Sequence, residues 1–209
     1  MTRRLLLAVL AALLLADPAS AQPFVIMDGL GLGGYAYAPS IVVADGEISI
    51  HACTPGIPVG NPVEWDVVRS VRSLDGGATW TTPVVELRAQ AYLRAACDPS
   101  IVRLNLGDSD RWYMALSGAP ADVQTVNALA RSEGRHGPWE YRTDRGTWEA
   151  MPADPAVITW PFNPAPDNSG IYGAGQPSLV VRPDLDNLVL MWWTDTTLTA
   201  PAQNRIYAA

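Results

Sequence analysis

The chain contains no lysine: its 14 basic residues are all arginines. Schiff-base catalysis and the lysine of a phosphate-binding loop are therefore excluded. Histidine is almost as scarce. His51 and His136 are the only two, which leaves few ways to build a zinc site or a histidine-based nucleophilic triad. Positive charge is outweighed by 21 acidic residues, for a net charge of −7. Nucleic-acid binding needs clustered positive charge, so that partner class is excluded too. No long stretch keeps a helical period. What the chain has in quantity is a core-forming composition, 48% apolar and 17% charged residues, which excludes wholesale disorder.

Residues 1–21 read as an export signal. Arg3 and Arg4 open it, Leu5 to Ala16 form a 12-residue apolar run, and Ala19-Ser20-Ala21 gives the small-x-small pattern cut before Gln22. The run is shorter than the about 20 residues that span a bilayer, and no later run reaches that length. The expectation is a mature protein of residues 22–209, secreted or periplasmic, without a membrane association after cleavage. An oxidising compartment bears on Cys53 and Cys97. They pair in a disulfide closing a loop of 44 residues, worth about 3–4 kcal/mol by loop-closure entropy, or they remain two buried thiols.

The mature sequence is a repeat. Ala38-Pro39-Ser40-Ile41-Val42, Asp98-Pro99-Ser100-Ile101-Val102 and Gln176-Pro177-Ser178-Leu179-Val180 begin three similar units, with prolines 60 and 78 residues apart. Each opening is followed by a polar turn and a second apolar strand. In the first two units a third strand leads to a glycine-rich turn ending at Trp80 or Trp139, from which a fourth strand departs. The β-branched content and Asp-Gly turns predict four-stranded antiparallel meanders. Units of this length that bury their faces by stacking are blades of a β-propeller. The expected fold is all-β, with about three blades starting near residues 39, 99 and 177. The third unit stops at Arg205 to Ala209, where its tight turn is due. This predicts an incomplete five-bladed propeller from a longer reading frame, with a ring-completing oligomer as the alternative.

The turn Ser73-Leu74-Asp75-Gly76-Gly77-Ala78-Thr79-Trp80 resembles the Asp-box of sialidase-type propellers, S-x-D-x-G-x-T-W. Ser73, Asp75, Gly77, Thr79 and Trp80 fill its specified positions. The resemblance implies a structural turn on the face away from the active site. The other marks of sialidases, an arginine triad and a Phe-Arg-Ile-Pro segment, are absent.

Taken together, the repeats resemble the five-bladed propeller glycoside hydrolases of family 43 and its relatives over residues 35–209. Cys97-Asp98-Pro99-Ser100-Ile101-Val102 is similar to the inner-strand opening that carries an active-site aspartate there, and Trp112 to Ser117 to the aromatic second strand. The resemblance implies a catalytic site on the propeller axis with Asp98 as a pKa-tuning, sugar-orienting carboxylate or as a base. It also marks two departures. Ala38 stands where an aspartate is expected and Gln176 where a glutamate acid is expected, and neither residue can activate water or protonate a leaving oxygen. Asp28, Glu64, Asp66, Asp167 and Asp195 are the other carboxylates that can reach in from loops.

Strand direction places the ligand face at the starts of first and third strands and the ends of second strands. That face collects Tyr35, Tyr37, His51, Glu64, Trp65, Asp66, Asp98, Ser117, Trp160, Asn163, Tyr172, Gln176, Trp193 and Asp195. Aromatic rings there cover the apolar faces of a sugar, while amides and carboxylates bind its hydroxyls. Gln176, His51, Trp65, Trp160, Tyr172, Trp193 and Asp195 are thus the expected substrate-binding set. The alternative for the tryptophans is core packing, and for His51 a structural role. His136 lies in a turn on the opposite face, where solvent exposure is expected. Asp108, Asp110, Asp184 and Asp186 match no calcium loop, so no metal or other cofactor is expected and an axial calcium has no motif behind it. Two functions fit: an exported hydrolase of extracellular polysaccharide or oligosaccharide, and a non-catalytic propeller that binds glycan or protein.

Overall fold

A computed structural model describes residues 31–32, 35–56, 66–88, 93–105, 110–120, 125–150, 152, 155–158, 174–185, 188–195 and 206–208. The first blade is β1 (Tyr37–Ala44), β2 (Glu47–Pro55), β3 (Asp66–Ser73) and β4 (Val84–Leu87). The second is β5 (Leu93–Asn105), β6 (Asp110–Pro120), β7 (Val126–Ser132) and β8 (Glu140–Arg142), extended by β9 (Trp148–Glu149) and by β10 (Val157–Ile158) on β7. The third comprises β11 (Ala174–Arg182), β12 (Leu188–Asp195) and β13 (Ile206–Ala208). Neighbouring strands within each blade are antiparallel. Among the described residues the one helical segment is the 3-10 turn Pro183–Leu185. The expected all-β, propeller-type architecture is borne out, and the three Pro-Ser openings lie in β1, β5 and β11.

The repeated Pro-Ser has a mechanical reason. Ser40 Oγ in β1 accepts the Ile101 N–H of β5 at 3.2 Å, and Ser100 Oγ in β5 accepts the Leu179 N–H of β11 at 2.9 Å. Each serine therefore clips its blade to the backbone of the next inner strand. Apolar side chains fill the space between. Leu93, Met114, Leu116 and Tyr141 are fully buried between the first two blades with Val68 and Leu87, and Ala115, Leu179 and Met191 are buried between the second and third.

The turn between β3 and β4 closes on itself. Ser73 Oγ donates to Asp75 Oδ1 at 2.7 Å and accepts the Gly77 N–H at 2.8 Å. Asp75 accepts the Thr79 N–H at 2.8 Å and the Thr79 hydroxyl at 2.6 Å. The donors from Thr79 and Ser73 hold its pKa down to about 2. Gly76 and Gly77 take positive φ, 72° and 97°, which the turn requires of two successive residues. Trp80 packs against Leu32, Ile50 and Val71.

Both histidines sit differently from expectation. His51 lies in the middle of β2, since the strand continues to Pro55, and it is fully buried. It faces the second blade and stacks on His136 with ring centroids 5.7 Å apart. It therefore takes no part in the ligand face. Burial lowers its pKa to about 4, with His136 and Arg135 reinforcing the shift against Glu86 and Glu47. His136 is enclosed rather than solvent-exposed. Its Nδ1 lies 2.8 Å from Glu86 Oε1 and its Nε2 2.7 Å from Glu47 Oε1, so the second blade's turn grips two carboxylates of the first. Both ring nitrogens facing ionised acceptors is the arrangement of an imidazolium. Burial opposes that charge, yet the bonds to Glu86 and Glu47 outweigh it and raise the pKa. Arg135 adds bonds to Glu47 Oε1 at 3.0 Å and the Ala44 carbonyl at 2.8 Å.

Replacing Ser100 by alanine leaves the buried Leu179 N–H unsatisfied, and urea denaturation should show a loss of about 1–3 kcal/mol. The His136 grip has a definite pH sign. A raised native pKa contributes stability that is complete below about pH 6.5 and fades as pH rises through the native value. The melting-temperature difference between the wild type and His136→Gln should accordingly be largest near pH 6 and shrink towards pH 9.

Candidate active site

The three residues that open the inner strands line one pocket and share an unusual backbone. Ala38, Asp98 and Gln176 have φ of 48°, 47° and 50°, and each precedes a proline. Left-handed φ is rare without glycine, and a following proline restricts the residue further. The pairing register slips at the same place in all three blades, between Tyr37 and Ser40, Cys97 and Ser100, and Gly175 and Ser178. Each inner strand thus opens on a bulge. Bulges of this kind redirect a side chain, and backbone strain of this order persists where surrounding structure fixes it.

Asp98 lines a cleft of about 710 Å³ together with Tyr37, Ala38, Asp66, Ser117, Thr125 and Gln176. The Ser117 hydroxyl hydrogen-bonds the Asp98 carboxylate, as does the backbone N–H of Gln176, which also lies 2.9 Å from Ser117 Oγ. Burial nevertheless dominates and raises the Asp98 pKa, and the negative charge of Asp66 adds to the rise.

Asp66 is the first residue of β3, and its backbone pairs with Ala95 of β5 in the only parallel pairing among the described strands. Its carboxylate accepts the Tyr35 hydroxyl. The Tyr37 hydroxyl also bonds Asp66 and lies 2.9 Å from Cys97 Sγ. Burial and then Asp66 push the Tyr35 pKa up to about 12, and raise that of Tyr37 as well. Cys53 and Cys97 are bonded to each other and join β2 to β5 at the cleft wall. Their sulfurs and an Asp66 oxygen lie within 4.8 Å of one another, but a disulfide supplies no thiolate to a metal.

The same sulfur bounds the carboxylate pair. Cys97 Sγ lies 3.7 Å from Asp98 Oδ1 and within 4.8 Å of the Asp66 oxygen, so these oxygens are at most about 8.5 Å apart.

Of the expected site residues, the cleft brings together Asp98 and Gln176, with Asp66 from the wider set of carboxylates. Gln176 is exposed there. His51 is excluded by its burial. Trp193 and Asp195 fall in β12, opposite Tyr207 and Ala174. Trp65, Trp160 and Tyr172 lie outside the described residues. The support of Asp98 by Ser117 and the Gln176 backbone had no motif to announce it. Its signal was the position of Ser117, opposite Cys97 across the β5–β6 pair.

No protein-family model matches the sequence, and no curated protein matches it. Solved structures do. A thermostable family-43 glycoside hydrolase aligns with a TM-score of 0.53 and 17% identity, over 83% of this chain and 53% of that one. A GH43_1 enzyme from Xanthomonas citri, complexed with xylose, gives 0.52 and 16%, over 80% and 42%. Zg3597, a family 117 glycoside hydrolase from the marine bacterium Zobellia galactanivorans, gives 0.50 and 14%, over 83% and 52%. The fold is that of the five-bladed propeller glycoside hydrolases. The chain spans about half the length of the structures it matches, and at these identities the likeness concerns the fold. The three inner-strand openings of this chain carry Ala38, Asp98 and Gln176.

The disulfide holds the cleft wall as well as the blades. Breaking it with Cys53→Ala and Cys97→Ala should lower stability by about 3–4 kcal/mol in denaturant titrations, as expected for a 44-residue separation.

Proposed function

We propose that the chain is the catalytic propeller of an exported glycoside hydrolase acting on an extracellular oligosaccharide or polysaccharide, with Asp98 as a carboxyl group at the scissile bond. One observation carries this reading. Asp98 is the single carboxylate among the three strained axial positions, half-buried in a cleft, with its pKa raised above the ordinary aspartate range. A carboxyl group that stays protonated into milder acid is what leaving-group protonation requires. Tyr37, Thr125 and Gln176 supply a ring face and hydrogen-bonding groups suited to sugar hydroxyls. The signal-like residues 1–21 support export. The chemistry needs no cofactor, because a proton donor and an activated water suffice.

A second reading rests on Ala38 and Gln176. With two axial positions unable to transfer protons, the cleft serves a propeller that binds glycan without cleaving it. The two readings separate in one experiment. The full chain is incubated with a panel of aryl glycosides and polysaccharides while binding is followed by calorimetry. Hydrolysis by the wild type, reduced about 10²–10⁴-fold in Asp98→Asn on polysaccharides and on glycosides whose leaving group needs protonation, establishes the enzyme. Saturable glycan binding without turnover establishes the binding module.

A further inference from the structure

Asp98 alone cannot complete hydrolysis, because the attacking water must also lose a proton. The two other axial positions hold no carboxylate, yet the cleft contains one. We infer that Asp66, reaching in from the first residue of β3, is the general base of this site and works across the cleft from Asp98 as general acid. The inference rests on the glycosidase reading above and names the partner residue that reading lacks.

Four observations place Asp66 in that role. It lines the same cleft as Asp98. Its carboxylate lies at most about 8.5 Å from that of Asp98, by the 3.7 Å and 4.8 Å separations about Cys97 Sγ, which keeps the pair below the upper limit of about 9.5 Å for two carboxyl groups that share a water. The Cys97 sulfur lies near both carboxylates, and the Tyr37 hydroxyl bonds Asp66 and lies against the same sulfur. Finally, Asp66 is fixed from two sides. Its backbone pairs with Ala95, and the Tyr35 hydroxyl donates to its carboxylate. A carboxylate offers about four acceptor sites, so the tyrosine bonds leave room for a water.

The step balances without a further reactant. Asp98 gives its proton to the glycosidic oxygen as the bond from that oxygen to the anomeric carbon breaks. A water on the opposite face of the sugar ring forms the new bond to the anomeric carbon and passes a proton to Asp66. The products are the hemiacetal and the released alcohol, with Asp98 ionised and Asp66 protonated until solvent exchange restores both. The product anomer is inverted. Tyr35 is a positioning residue that aims the base.

The test uses the full chain and, as probe, the aryl glycoside cleaved fastest by the wild type. Asp66→Asn keeps the side-chain volume and should lower kcat about 10²–10⁴-fold while the melting temperature stays within a few degrees. Asp66→Ser should regain turnover in sodium azide and release the glycosyl azide of opposite anomeric configuration. Asp98→Asn should behave otherwise, retaining turnover of a dinitrophenyl glycoside, whose leaving group needs no acid, while losing that of a methyl glycoside. Tyr35→Phe should lower kcat with KM unchanged. Asp66→Asn activity within threefold of the wild type overturns the assignment and leaves the glycosidase reading intact. Retention of configuration, read by NMR, overturns the water-activating role in the same way. A wild type that binds glycan but cleaves nothing on the panel overturns both.

Discussion

The left-handed residue that opens each inner strand governs the rest of this structure. A proline follows it, then a serine, and the three residues solve one geometric problem between them. The bulge turns the first side chain out of the sheet, the proline fixes φ of the next residue without requiring a ladder donor, and the serine hydroxyl accepts an N–H from the neighbouring blade. Because the clip and the bulge lie two residues apart, the position of each axial side chain is tied to the packing of one blade on the next. A blade that shifted on its neighbour would carry its axial residue with it.

Around that constraint the first two blades are held at both ends. At the cleft end lie the Cys53–Cys97 bond and the Asp66–Ala95 pairing. At the other end, His136 and Arg135 reach from the second blade to Glu47 and to the backbone of Ala44, and His136 also meets Glu86. Between these polar ties sits the main apolar core. The cleft-end ties double as site architecture, since Cys97 precedes Asp98 and Asp66 begins β3. Fixing the blades and fixing the carboxylates are one operation here, and preorganisation of that kind is what acid–base chemistry draws on.

Much of the fold was legible because the repeat expresses itself in residues with one physical role each. Pro39, Pro99 and Pro177 marked the inner strands, and the glycine-rich turns marked the hairpins. Asp98 was legible from its place in that repeat. Asp66 was legible only as one acid among several, because nothing local distinguishes the first residue of a third strand. It gains significance from Tyr35, 31 residues away in sequence, and from Cys97. His51 was misplaced because β2 runs four residues beyond it, to Pro55, rather than ending at it. Strand alternation carried the corrective signal: Ser49, His51 and Cys53 share a face, and a partner for Cys53 in the next blade turns that face inward.

The three axial openings have nearly identical backbones, φ of 47° to 50°, yet carry alanine, aspartate and glutamine. What the strand demands is a conformation, and the proline and serine beside it meet that demand whichever side chain is present. The scaffold is therefore indifferent to the chemistry displayed on it. A change of residue at these openings can therefore alter what the cleft displays with little trace in folding.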